Sequence, residues 1–203
     1  MASMVLGYSL VLITILGTSI THNIHQNSAN QSEDTSLYLS VCTAALPLGA
    51  LAGSLLFSKI LQIAKGENRL MVICDAAFFL LYAFQSLALS VPLIVFARFL
   101  IGFTIGVSGT AVPMYLTSIA PREISGTMGS FNQLLITIGI AVAYGMGFLI
   151  DEKDLGNWWR WRVCIILPAF LSLFRLYTLS VFKYDSLERH IERKEFDILK
   201  TYV

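Results

Sequence analysis

The chain is poor in the residues with which soluble proteins meet water. Only 13% of its 203 residues are charged, against roughly a quarter in an ordinary soluble domain, and mean hydropathy is +0.70. A water-bathed globular domain is therefore excluded. The formal net charge of +1 gives no basic face for nucleic acid and no polybasic anchor for a lipid surface. Histidine and cysteine occur 3 times each. Cys42, Cys74 and Cys164 fall one each in three separate apolar runs with no ligand spacing, which reads as small buried hydrophobes and not as zinc ligands. His22 and His25 sit in polar sequence after the first run and read as part of a wet loop. There is no phosphate loop and no Ser-His-Asp arrangement. Asp75 and Glu123 read as residues near membrane ends, not as a pair in one cleft. No enzyme activity, metal or cofactor is expected.

What remains is apolar and comes in long runs. A helix needs about 20 apolar residues to cross a bilayer, and six runs approach or exceed that, near 1–22, 37–61, 70–89, 93–119, 128–150 and 163–182. A secretory signal is the alternative for the first, but Met1–Leu6 lacks the basic segment that such signals carry. The expected architecture is an all-α membrane protein with six transmembrane helices and a charged, amphipathic cytoplasmic tail over 183–203. Basic residues are in excess in alternate connections: Lys59, Lys65 and Arg69, then Arg122, then Arg189, Arg193 and Lys194 in the tail. Of the opposite set, 23–36 and Ser90–Pro92 hold no Lys or Arg, and 151–162 mixes Asp151, Glu152 and Asp154 with Lys153, Arg160 and Arg162. Excess Lys and Arg marks the cytoplasmic side, so both termini are expected inside. The loop 23–36 is then outside, where Asn30-Gln31-Ser32 forms a glycosylation acceptor pattern.

The fourth and fifth runs carry residues that lipid-facing filler does not need. Gly49-x-x-x-Gly53 in run two and Gly102-x-x-x-Gly106 in run four place small residues on one helix face, which lets backbones approach closely. Arg98 follows the short connection Ser90–Pro92 and is expected to snorkel to the outer headgroups. In run five, Gln133, Ile136 or Thr137, Ile140 and Tyr144 fall along one helical stripe. An unpaired amide in hydrocarbon is costly. Gln133 should face either a neighbouring helix or a water-filled cavity that takes a polar, uncharged ligand.

At these residues the chain resembles the sugar porter family of the major facilitator superfamily. The fourth-helix pattern is matched at Arg98, Gly102, Gly106, Pro113, Tyr115, Ala120 and Pro121. The fifth is matched at Gly126, Gly129, Gln133, Leu134, Ile136, Gly139 and Ile140, and the start of the sixth at Trp159, Arg160, Trp161 and Pro168. The resemblance implies the N-terminal half of that fold, with Gln133 as a ligand of a hexose and Ile136 and Ile140 as the wall beside it. It also implies transport, by facilitated diffusion since no coupling carboxylate is evident in the spans. The plasma membrane is the expected location. Departures are Ser118 and Ser125, where the family carries Glu and Arg, and Leu6-Gly7-Tyr8-Ser9, where it carries G-Y-[DN]. They leave a non-transporting sensor or scaffold of the same fold as the alternative. Because the family has about twelve spans in two halves, the chain is expected to be a fragment, or a half that pairs with a second half or a second copy.

Overall fold

The computed structural model describes residues 3–12, 15, 31–64, 66–88, 90–119, 125–147 and 158–181. Asn30, Pro121, both histidines discussed above and the 183–203 tail lie outside the described residues. The described chain is helical: α1 is Ser3–Leu12, followed by α2 (Gln31–Ala64), α3 (Glu67–Leu87), α4 (Val91–Ile119), α5 (Ser125–Gly147) and α6 (Trp158–Val181). In hydrocarbon every backbone polar group must pair within the chain, and helices achieve this one by one. Among the described residues four helices are long and apolar enough to cross a membrane, within α2, α3, α4 and α5. The apolar parts of α1 and α6 are shorter, at Ser3–Leu12 and Cys164–Thr178.

Local chemistry sets the boundaries. Gly66 precedes α3 at φ 142° and ψ 151°, a backbone state essentially restricted to glycine. At the start of α4 the Ser90 carbonyl accepts the first helical bond from the Ile94 N–H at 3.2 Å. Pro92 sits in the first turn of α4, where its missing N–H costs nothing.

Two close helix crossings organise the bundle. In the first, added methyls at Gly49 and Gly53 of α2 would run into the Phe99 and Phe103 carbonyls of α4. Added methyls at Gly102 and Gly106 would run into the Leu46 and Ala50 carbonyls of α2. Both small-residue motifs therefore face each other, and numbers rise together along the two helices, so α2 and α4 run parallel. The second crossing repeats the device: Gly7 of α1 abuts the Ile136 carbonyl and Gly139 of α5 abuts the Met4 carbonyl. Ser3 meets Asn132 at one end and Ile15 meets Gly147 at the other, so these helices also run parallel. Elsewhere α3 packs on α6 and α4, and α5 touches α4 only lightly.

Pro168 sits inside the continuous helix α6. Having no N–H, it leaves the carbonyl four residues earlier without its helical donor. That carbonyl belongs to Cys164, and the fully buried Tyr8 hydroxyl of α1 donates to it at 2.8 Å.

The centre of the bundle is polar to a degree that the sequence did not suggest. Arg98, Tyr8, Tyr82, Gln85 and Asp75 are among the largest fully buried side chains. Two expectations are corrected here. Arg98 does not snorkel. It lies about two turns into α4, is 1% exposed, and points its guanidinium at neighbouring helices. Asp75 is not a membrane-end residue. It is 1% exposed within α3, with its Oδ2 at 3.1 Å from Nε of Arg175 in α6.

Candidate functional site

Helix α5 turns by about 100° per residue, and its burial divides it into three faces. Asn132, Ile136, Gly139 and Ala143 form the packed face, where Gly139 and Ala143 are buried and Asn132 and Ile136 half-buried. Phe131, Leu134 and Ile138 form an exposed apolar face. Between them runs an exposed stripe of Ser130, Gln133, Thr137 and Tyr144, with Ile140 half-buried beside it. Two of its hydroxyls fold back on their own helix: Ser130 Oγ donates to the Gly126 carbonyl at 3.3 Å and Thr137 Oγ1 to the Gln133 carbonyl at 3.1 Å. The Gln133 side chain is left pointing outward. Acyl chains cannot satisfy such a stripe, whereas a water-filled cavity can.

Of the residues singled out in the sequence, Gln133 and Ile140 share this stripe. Ile136 sits about 60° from Gln133 around the helix, on the edge that meets α1, and lines a small cavity with Ser3, Ser108, Gly109 and Asn132. Asn132, next to Gln133, is turned inward and accepts a hydrogen bond from the Ser3 hydroxyl of α1. Gly102 and Gly106 belong to the α2–α4 crossing, while Gly126 has open space around it. Pro113 lies inside α4. Trp161 falls within α6.

A separate buried network, joining α1, α3 and α4, surrounds Arg98. Its Nη1 donates to the Ser9 carbonyl of α1 at 3.2 Å. The Ser9 hydroxyl donates to the Val5 carbonyl at 2.6 Å, so in its contact with the Tyr82 hydroxyl of α3 the tyrosine is the donor. Arg98 Nε and Nη2, and both amide atoms of Gln85, have no hydrogen-bond partner among the described residues. No carboxylate there touches Arg98. The acidic group that is buried, Asp75, is held by Arg175. Sequence reading passed over Arg175; the available signal was a lone base in run six facing a lone acid in run three, since charges inside spans pair with one another.

Comparison with known proteins places this geometry. The protein-family model described as "Sugar (and other) transporter" matches residues 1–186. The chain is 31% identical over 168 residues to "Solute carrier family 2, facilitated glucose transporter member 5" of Ovis aries, covering 81% of this chain and 32% of that one. It is 29% identical over 136 residues to "Glucose transporter GlcP" of Staphylococcus epidermidis, covering 66% and 30%. The chain thus spans about a third of the length of the curated relatives it matches. Among solved structures, the inward-open xylose transporter XylE from E. coli superposes with a TM-score of 0.76 at 23% identity, over 100% of this chain and 50% of that one.

Proposed function

Because the chain belongs to the sugar transporter family by the match over residues 1–186, we propose that it forms the N-terminal six-span half of a hexose carrier. It is a multi-pass membrane protein, and the plasma membrane is the proposed location. The observation that carries the reading is the polar stripe of α5. Ser130, Gln133, Thr137 and Tyr144 are exposed on a helix whose other two faces are packed or apolar. In the proposal that stripe borders a sugar pathway completed by a second six-helix half, either from the same polypeptide or from a second copy. Gln133 offers an amide donor and acceptor to sugar hydroxyls, with Ile140 against the ring and Ile136 at the inner edge. The relatives reported above are named as transporters, and no observation favours the sensor alternative. Asn30 is proposed as an external glycosylation position.

Facilitated diffusion is the proposed mode. Ion-coupled carriers need an ionisable group free to take and release the ion within the spans. Among the described residues Arg98 faces a carbonyl and lies near the Tyr82 hydroxyl, and Asp75 is committed to Arg175. The test is uptake of labelled glucose and fructose into vesicles holding the full carrier, with and without an imposed proton gradient. Saturable uptake that ignores the gradient is expected. Uptake that collapses with the gradient would refute the mode, and no hexose uptake would refute the function.

A further inference from the structure

Pro113 of α4 and Pro168 of α6 create the same need and meet it differently. Each lacks an N–H, so the carbonyl four residues earlier, of Gly109 and of Cys164, has no helical donor. Inside a span such a carbonyl is served by a neighbouring helix, a hydroxyl or an ordered water. The Tyr8 hydroxyl of α1 serves Cys164. For Gly109 the hydroxyls beside it in the chain are committed elsewhere. Ser108 Oγ donates to the Ile105 carbonyl at 3.2 Å and Thr110 Oγ1 to the Gly106 carbonyl at 2.7 Å. Gly109 lies ten residues before the end of α4 at Ile119. That is ~15 Å along the helix, half of a ~30 Å hydrocarbon core, where an unserved carbonyl is costly.

The small cavity between α1, α4 and α5 lies at this point. Gly109 and Pro113 both line it, with Ser3, Ser108 and Asn132. A helical carbonyl points along the axis towards the residue four positions later, so the Gly109 oxygen sits on the wall that Gly109 and Pro113 share. Asn132, half-buried on α5, accepts from Ser3 through Oδ1, a bond that leaves its amide hydrogens unused. Ser108 is 3% exposed; its hydrogen goes to Ile105 and its lone pairs remain. At about 30 Å³ the cavity exceeds the ~10–15 Å³ that one ordered water needs, and is about a tenth of the ~300 Å³ at which small-molecule sites begin. From this arrangement we propose that the cavity is the seat of an ordered water that stands in for the N–H missing at Pro113. The water accepts a hydrogen bond from the Asn132 amide and donates its own two hydrogens to the Gly109 carbonyl and to Ser108 Oγ. Three bonds is the usual number for a buried water. Asn132 is then a positioning residue. Tied to α1 through Ser3 and to the α4 backbone through the water, it steadies α4 where the proline weakens the helical ladder. The site stands whether or not the outward stripe of α5 borders a sugar pathway.

The test reads the Gly109 carbonyl itself. Cell-free synthesis of the full chain into nanodiscs places one isotope-labelled (13C=18O) glycine at position 109, and its amide band is followed by infrared spectroscopy. A hydrogen-bonded carbonyl vibrates at lower frequency than a free one, so the band should lie low in the unvaried protein. Asn132→Leu keeps the size of the side chain and removes the donor, and should move the band up. The pair Asn132→Leu/Pro113→Ala should bring it down again, because residue 113 regains an N–H for that carbonyl. A density map of the unvaried protein, fine enough to show ordered waters, needs no variant to fold. It should show a peak within about 3.2 Å of the Gly109 oxygen, Asn132 Nδ2 and Ser108 Oγ. A band at the free-carbonyl frequency in the unvaried protein, or one that Asn132→Leu leaves in place, overturns the proposal. So does a band that stays high in the paired variant, since the shift would then reflect general distortion. A map in which Asn132 bonds the Gly109 carbonyl directly, or in which side chains close the cavity, overturns it as well.

Discussion

Gln133 and Asn132 are neighbours in sequence and opposites in environment, which makes them the sharpest pair for a substitution experiment. A hydrogen bond contributes about 0.5–1.5 kcal/mol net, and an unpaired buried partner costs roughly 1–3. Gln133→Ala should therefore weaken hexose affinity about tenfold, 1.4 kcal/mol being a factor of ten. The measurement is the half-saturation constant for uptake at matched surface expression. Asn132→Ala instead removes the acceptor of the Ser3 hydroxyl at the α1–α5 crossing. It should lower thermal stability by about 1 kcal/mol and leave affinity within about twofold. Unchanged affinity in Gln133→Ala together with a large loss in Asn132→Ala would mean the wrong face was assigned. The stripe was legible in the sequence because helical spacing is fixed whatever surrounds it. The fate of Arg98 was not. A base near the start of an apolar run can reach out to headgroups or turn inward, and only Ser9 and Tyr82 on other helices decide which. The pairing of Asp75 with Arg175 escaped for the same reason: their spans are neighbours in space but far apart in the chain.

At the level of helices, the glycines that matter are separable from those that do not. A methyl at Gly102 meets backbone that cannot rotate away, whereas Gly129 has open space. Gly102→Ala should cost about 1–3 kcal/mol as an overpacked contact, despite the gain of up to about 1 kcal/mol that alanine brings to a helix. Gly129→Ala keeps only the gain. Melting of the purified protein should fall for the first and hold or rise for the second, and equal shifts would dismiss the crossing. The small-residue motifs were visible in sequence, since a four-residue spacing of glycine has few other uses in a span. The proline in α6 was visible too, but not the group that serves its orphan carbonyl, because Tyr8 lies on the far side of the chain. That link is open to a double-mutant cycle. Tyr8→Phe should cost about 1–3 kcal/mol by leaving the buried Cys164 carbonyl unpaired. In a Pro168→Ala background, where residue 168 regains an N–H for that carbonyl, the cost should shrink by at least half. Additive costs would show that the tyrosine serves some other purpose.

For the molecule as a whole, the direction of each crossing decides which loops face which compartment. A cleft beside Arg175 gathers Ser3, Met71 and Met128 from the beginnings of α1, α3 and α5 with Tyr115 and Thr178 from near the ends of α4 and α6. At the other pole, Leu37 near the beginning of α2 meets Pro92 at the beginning of α4. Odd-numbered helices thus start where even-numbered ones finish, and the parallel crossings α1–α5 and α2–α4 require the same alternation. The beginning of α1 and the end of α6 therefore belong to one pole, which Lys59 near the end of α2 and Arg69 near the beginning of α3 share. A cytoplasmic excess of basic residues predicts that this pole faces inward. Cysteines introduced at Asn30 and Lys194, in a background whose buried Cys42, Cys74 and Cys164 are replaced by alanine, should label from opposite sides in sealed vesicles. Asn30→Cys should react with an impermeant maleimide applied outside, and Lys194→Cys only after permeabilisation. Labelling of both from outside would break the even number of crossings, and with it the pathway proposed along α5. Labelling of Lys194→Cys alone would invert the molecule, leaving the even count intact but placing the basic connections on the wrong side of the membrane.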